Sequence, residues 1–232
     1  MRQWHKHGDE QIRELWRRMN ALKDSYDDKL ISPAQFDVLA SLIGRTDYLF
    51  RRTIDGQGIA VIGATQVLDD ELIAAWTAGP GKPGLASAKE VPRLLQEVRA
   101  VRRTADTVVV FLHWGVELEH CPTTNQRTLA RKLVAAGADV VVGAHAHRLL
   151  GAGRMRNALV GYGLGNFVWY GTSELSTQTG VLFVSVTGRR VNAYRWVPAR
   201  IVDGVPHPLT GSERRRELAD WRLLRGCTGL RP

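Results

Sequence analysis

The chain has 232 residues, 44% of them hydrophobic and 24% charged, with 23 glycines, 9 prolines and 2 cysteines. That length and apolar share suit one domain, or one domain with an appendage, and exclude a largely disordered chain. The two cysteines exclude a disulfide-stapled scaffold and a cysteine-rich zinc module, and no apolar run approaches the ~18 residues that span a bilayer.

The formal net charge of +9 raises nucleic acid or an anionic surface as a partner. The 32 basic residues are 26 Arg plus 6 Lys, scattered along the chain. No aromatic-interleaved basic motif accompanies them, so a solvated basic surface is expected and a nucleic-acid interface is not. Met1 to Glu10 are polar and lack the apolar stretch of a secretory signal, so as written the chain is expected to be soluble.

Residues 9 to 50 read as helical. Ile12, Leu15, Trp16, Met19 and Leu22 recur at helical spacing, and Ser32-Pro33 opens a second helix whose stripe is Phe36, Leu39, Ala40 and Ile43. The expectation is an N-terminal helical hairpin over 1–52. From residue 53 the texture changes. Gly58 to Ala64 is a short apolar run between glycines, as a buried strand would be, and Gly79 to Gly84 is a loop by composition. Glu90 to Thr104 predicts a helix, Val108 to Leu112 a strand, Thr124 to Ala136 a helix closed by Gly137, and Val140 to Val142 a strand. Ala158 to Tyr170 and Val181 to Val186 add strands, Val191 to Val197 completes a hairpin, and Glu213 to Leu224 is a last helix. The class is α/β, with α+β as the alternative. The expected divisions are 1–52, 53–205 and 206–232.

Two strand ends carry histidines. His113 follows Leu112 directly, in Leu112-His113-Trp114-Gly115-Val116-Glu117, and Gly143-Ala144-His145-Ala146-His147 follows Val140 to Val142. Ligands bind beyond the carboxyl ends of strands in open α/β sheets. His145 and His147, two apart, point to one side if the backbone is extended, and Gly115 and Gly143 would let backbone approach a ligand. Taken singly, each histidine reads as an ordinary one bonded to a backbone carbonyl. Three together at adjacent strand ends read as a metal site for a divalent ion such as Zn, Mn or Fe. Glu117 reads as a general acid/base, a carboxylate behind the ligands, or a solvated loop residue. Asn166 reads as a donor to a substrate oxygen or a turn residue bonding its own backbone, and Trp114 as a stacking platform or as core. The two cysteines are expected as free thiols, with a Cys121–Cys227 bridge the alternative.

The ordered series His113-Trp114-Gly115-x-Glu117, Cys121-Pro122-Thr123, Gln126-Arg127, Ala136-Gly137-Ala138-Asp139-Val140, Gly143-Ala144-His145-Ala146-His147 and Tyr162-Gly163-Leu164-Gly165-Asn166-Phe167 resembles the CapA family of capsule-synthesis proteins. It spans roughly residues 58 to 170, about half of the chain. Ala64-Thr65 and Pro83-Gly84-Leu85-Ala86 are similar to the actinobacterial branch. The resemblance implies a calcineurin-like metallophosphoesterase sandwich acting in poly-γ-glutamate capsule synthesis, usually in an extracytoplasmic setting. It also implies His113, His145 and His147 as metal ligands, His113 and Glu117 as catalytic groups, and Asn166 with Trp114 toward substrate. The substrate would be an anionic polymer or a phosphate-containing molecule. Members begin with a strand ending in Gly-Asp and continue with an Asn-rich motif, neither of which stands before Gly58. Gly8-Asp9 and His5-Lys6-His7 mimic fragments by chance. The expectation is a domain incomplete at its N-terminal half, with about half of a two-metal site and impaired catalysis; a non-catalytic polyanion-binding subunit is the alternative, and a nucleic-acid-associated protein the second.

Overall fold

In the computed structural model, residues 49–232 are described, apart from Pro80, Gly81 and Pro83. They fall in one unit, Gly44–Pro232. The expected helical hairpin lies outside the described residues except at its end. There Leu49–Ile54 form strand β1 rather than helix, drawn into the sheet by antiparallel pairing with β2, Gln57–Thr65.

After β2 the chain runs through α1 (Asp70–Trp76), α2 (Val91–Arg102), β3 (Thr107–Trp114), α3 (Thr124–Ala136) and β4 (Val140–His145). A hairpin of β5 (Ala152–Met155) and β6 (Ala158–Gly161) follows. Then come the short α4 (Glu174–Thr177), β7 (Gln178–Thr187), β8 (Arg190–Val202), β9 (Val205–Pro208), α5 (Gly211–Leu223) and a 3-10 turn over Leu224–Cys227. The first sheet has order β1-β2-β3-β4-β6-β5, with β2, β3, β4 and β6 parallel. The second, β7-β8-β9, is antiparallel. The chain is therefore α/β with mixed sheets, and among the described residues no helix is long and apolar enough to cross a membrane.

Strand alternation explains the layering. On β3, Val108, Val110, Leu112 and Trp114 point to one face and pack with Leu94 and Val98 of α2 and Leu129 and Leu133 of α3. On β4, Val141 joins them, while Val140 and Val142 face the other way and pack with Val191 of the second sheet. Both faces of the parallel strands are covered, which is why they read as unbroken apolar runs. Helix α3 is bounded as the sequence indicates. Thr123 and Gln126 form a capping box, and Gly137 takes φ +117 at the C-cap.

Two sequence expectations change. Ala158 to Tyr170 is strand only as far as Gly161, because the chain turns through Gly165 at φ +74 and Leu164 bridges to Leu149. Helix α5 packs in a small cluster of its own with Leu149, Ala152 and Trp196, its Trp221 stacked on Trp196 of β8 at 5.4 Å. The cysteines are bonded, Cys121 to Cys227, with Cα atoms 5.8 Å apart. The physical reason is close approach of the C-terminal turn. A Cβ on Gly151 would meet the Leu224 carbonyl at 2.4 Å, so only glycine lets the turn reach the loop that carries Cys121.

Asp139 fastens the start of the sheet. Its Oδ2 accepts from the Val108 amide at 2.9 Å and from Arg102, which also donates to the carbonyls of Ala105 and Asp106. The Asp139 carboxylate is buried and the Arg102 side chain partly so. Removing one partner strands the other, so Asp139→Ala is expected to cost on the order of 3–5 kcal/mol, read as a fall in the urea midpoint. The disulfide closes a separation of 106 residues. Cys227→Ser, or wild type under reductant, should lose roughly 4 kcal/mol in the same titration, and a non-reduced peptide map should show the linked pair.

Candidate metal centre on the strand-end rim

The parallel register sets β2, β3 and β4 side by side, pairing Thr65 with His113, His113 with Ala144, and Trp114 with His145. All three histidines therefore leave the sheet at one rim. Among the described residues, the one group of acid, histidine or cysteine donors close enough to share an ion is Glu117, His145 and His147, whose ligand atoms lie within 4.8 Å of one another. His113 stands beside this group, its ring 4.7 Å from that of His145.

The convergence does not come from extended backbone. His145 has φ +108 and His147 φ +54, both in the region that non-glycine residues rarely enter. Their rings nonetheless come within 5.8 Å, because the chain bends at each of them. Such strain persists only where packing enforces it, and here buried Ala146 and Arg148 flank the bends. The Arg148 guanidinium donates to the Leu118 carbonyl at 3.0 Å, and the Leu118 amide donates to the Ala146 carbonyl at 2.9 Å. These bonds tie the loop that bears Glu117 to the histidine loop.

Asn166 orients His147. Its Nδ2 donates to the Ser176 carbonyl at 2.9 Å, which turns its Oδ1 toward His147 Nδ1 at 2.8 Å. Nδ1 then donates this bond, which leaves Nε2 of the neutral ring as the nitrogen free to meet an ion. That nitrogen lies 3.7 Å from Glu117 Oε1, too long for a hydrogen bond and near the roughly 3–3.5 Å between two ligands sharing an ion at bonds of about 2.1 Å. Burial, then the neighbouring His145 and His147, lowers the pKa of His113. Burial also lowers that of His145, partly opposed by Glu117. Both imidazoles are thereby biased to the neutral form that binds cations. The donor set fits a divalent ion.

Several expected roles change. Trp114 is 0% exposed and its indole N–H donates to the Tyr162 carbonyl at 2.9 Å, so it is core and meets no substrate. Both polar atoms of the Asn166 amide are engaged within the protein, and its Oδ1 positions the His147 ring. Gly115 and Gly143 make room for side chains, not for a ligand. A Cβ on Gly143 would lie 2.0 Å from Trp114 Nε1, and one on Gly115 would lie 2.7 Å from Gln126 Nε2. Sequence reasoning missed Trp169, which stacks on His147 at 4.5 Å and on Tyr170 at 4.4 Å. The aromatic pair just beyond Asn166 was the available signal.

Comparison with known proteins places these motifs in context. Residues 45–170 match the family model described as Bacterial capsule synthesis protein PGA_cap. The chain is 30% identical over 164 residues to the capsule biosynthesis protein CapA of Bacillus anthracis, covering 69% of this chain and 39% of that protein. It is 31% identical over 160 residues to the PGA biosynthesis protein CapA of Bacillus subtilis (strain 168), covering 67% and 40%. The match thus spans about two fifths of these curated relatives. Among solved structures, a hypothetical protein from Thermus thermophilus superposes with TM-score 0.44 at 18% identity, covering 66% of this chain and 61% of that one. The sulfate thiohydrolase SoxB of the same organism, solved with glycerol, gives 0.43 at 17%, covering 75% and 25%.

The lowered histidine pKa values have a consequence for metal-free protein. Unfolded imidazoles take up protons around the ordinary 6.5, whereas folded His113 and His145 resist until lower pH. As pH falls through 6.5 the unfolded chain binds more protons and folding stability declines. The urea midpoint, followed from about pH 7.5 to about pH 5.5, should drop in the metal-free wild type and flatten in His113→Asn/His145→Asn. Equal slopes would remove the burial assignment.

Proposed function

The chain belongs to the bacterial capsule synthesis protein family PGA_cap, and from that membership we propose that its rim is a divalent-metal site acting on an anionic substrate of capsule-polymer synthesis. The reading includes a metallophosphoesterase-like character for the domain, with a phosphate-containing molecule or an acidic polymer as substrate. The observation that carries it is the convergence of Glu117, His145 and His147 from two loops, held by strained backbone and by Asn166.

In this reading Glu117, His145 and His147 hold the ion, with His113 as a fourth donor or as the base beside it. A bound divalent ion lowers the pKa of its water and polarises a phosphoryl or carbonyl oxygen. His113, whose pKa is lowered by burial and by the neighbouring imidazoles, would stand beside the ion as a general base. Trp169, stacked on His147, restricts that ring's swing and walls the site on one side. One group of three donors supports one ion. A two-ion clamp on attacking and leaving oxygens asks for more ligands than the described residues bring together, so slow turnover is expected. A net charge of +9 favours a second reading, in which the same rim holds a polyanion without turning it over.

Metal analysis after dialysis against Mn or Zn should find about one ion per wild-type chain and loss of it in His145→Ala/His147→Ala. Equal content in both would sink the site. Hydrolysis of a chromogenic phosphodiester should be slow, abolished by a chelator and by His113→Ala. Metal binding without any turnover would favour the polyanion-holding reading.

A further inference from the structure

Away from the rim, a cavity of about 500 Å³ opens between α3, the β5–β6 turn and the end of the 3-10 turn with the residues after it. Its wall includes Arg127, Arg131, Arg156 and Tyr162, closed by residues 226–229, and no acidic residue lines it. Tyr162 is 1% exposed, and its hydroxyl has no hydrogen-bond partner among the described residues. Arg131 and Arg127 both act electrostatically on that hydroxyl. Burial raises its pKa, against the opposing pull of the two guanidinium groups, so at neutral pH the phenol keeps its proton and is a donor.

We propose that this cavity is an oxyanion-binding site, in which the Tyr162 hydroxyl and the guanidinium groups of Arg127, Arg131 and Arg156 receive a carboxylate or phosphate group. The chemistry is one-sided: every charged group lining the space is a cation, and the buried hydroxyl lacks an acceptor. An anionic oxygen supplies that acceptor and neutralises the guanidinium charge, and planar guanidinium forks match carboxylate and phosphate geometry.

The parts are held in place by the protein itself. Arg127 donates to the carbonyls of Pro122 at 2.8 Å and Cys227 at 3.4 Å, and Arg131 to the Thr128 hydroxyl at 3.0 Å. The Cys121–Cys227 bridge anchors the C-terminal wall. Among the described residues the Arg156 side chain makes no hydrogen bond or ion pair, and its backbone sits at φ +55 in the β5–β6 turn. The Tyr162 ring stacks on Trp114 at 5.8 Å, so the phenol is set by the core rather than left to rotate.

The test is calorimetric titration of the full chain in chloride buffer of constant ionic strength, with inorganic phosphate in one arm and glutarate in the other. Saturable binding of at least one anion is expected, and the arm that binds identifies phosphate or carboxylate as the source. Affinity should fall about tenfold or more in Arg131→Gln and in Tyr162→Phe, the second of which keeps the ring. Arg156→Gln provides a surface substitution should Tyr162→Phe fail to fold. Binding should be unchanged by a chelator and in His145→Ala/His147→Ala, which separates this cavity from the rim. Absence of saturable binding in both arms, or wild-type affinity in Arg131→Gln, would overturn the proposal.

Discussion

The placement of Trp114 organises the rest. Its indole lies over Gly143 so closely that no other residue fits there, and its N–H reaches across β4 to the Tyr162 carbonyl just past β6. One side chain thus levels the ends of three parallel strands. Those ends carry His113, the His145–His147 loop and the turn toward Asn166. A misfit at Gly143 would displace all of them together, because a close-packed interior transmits a clash instead of absorbing it.

Above that packed floor the rim is built from conformations that cost free energy. His145 and His147 both occupy positive φ, as does Leu118 in the facing loop. Hydrogen bonds between the two loops and the amide of Asn166 hold them there. The result is a set of donors whose directions are held by the protein itself, with the His147 ring oriented by Asn166. Orientation of ligands by such outer partners is a general requirement of metal sites.

The C-terminal end closes the other side of the domain. The 3-10 turn approaches β5 over Gly151, where a side chain would collide, and the disulfide ties it to the loop entering α3. Tyr162 links the two regions. Its carbonyl holds Trp114 below the rim, while its side chain borders the arginine-lined cavity. Core, rim and cavity thus share one tyrosine.

Residue order alone was enough for the α/β class, for the helices 91–102 and 124–136 nearly to the residue, and for the two strand ends that bear histidines. Periodicity and caps are local signals, and these strands are apolar throughout because both faces are covered. The motif series was also enough to suggest the family. Which donors meet was a matter of long-range packing. Glu117 joins His145 and His147 because two loops are bonded together across about thirty residues, a fact no spacing encodes. The same packing makes Trp114 core, sets Asn166 to serve His147, fills the space beside Gly115 and Gly143 with neighbouring side chains, and brings Cys121 to Cys227. Each depends on a contact between segments distant in sequence, and each was open in the sequence because a residue type names what a side chain can do but not what stands beside it.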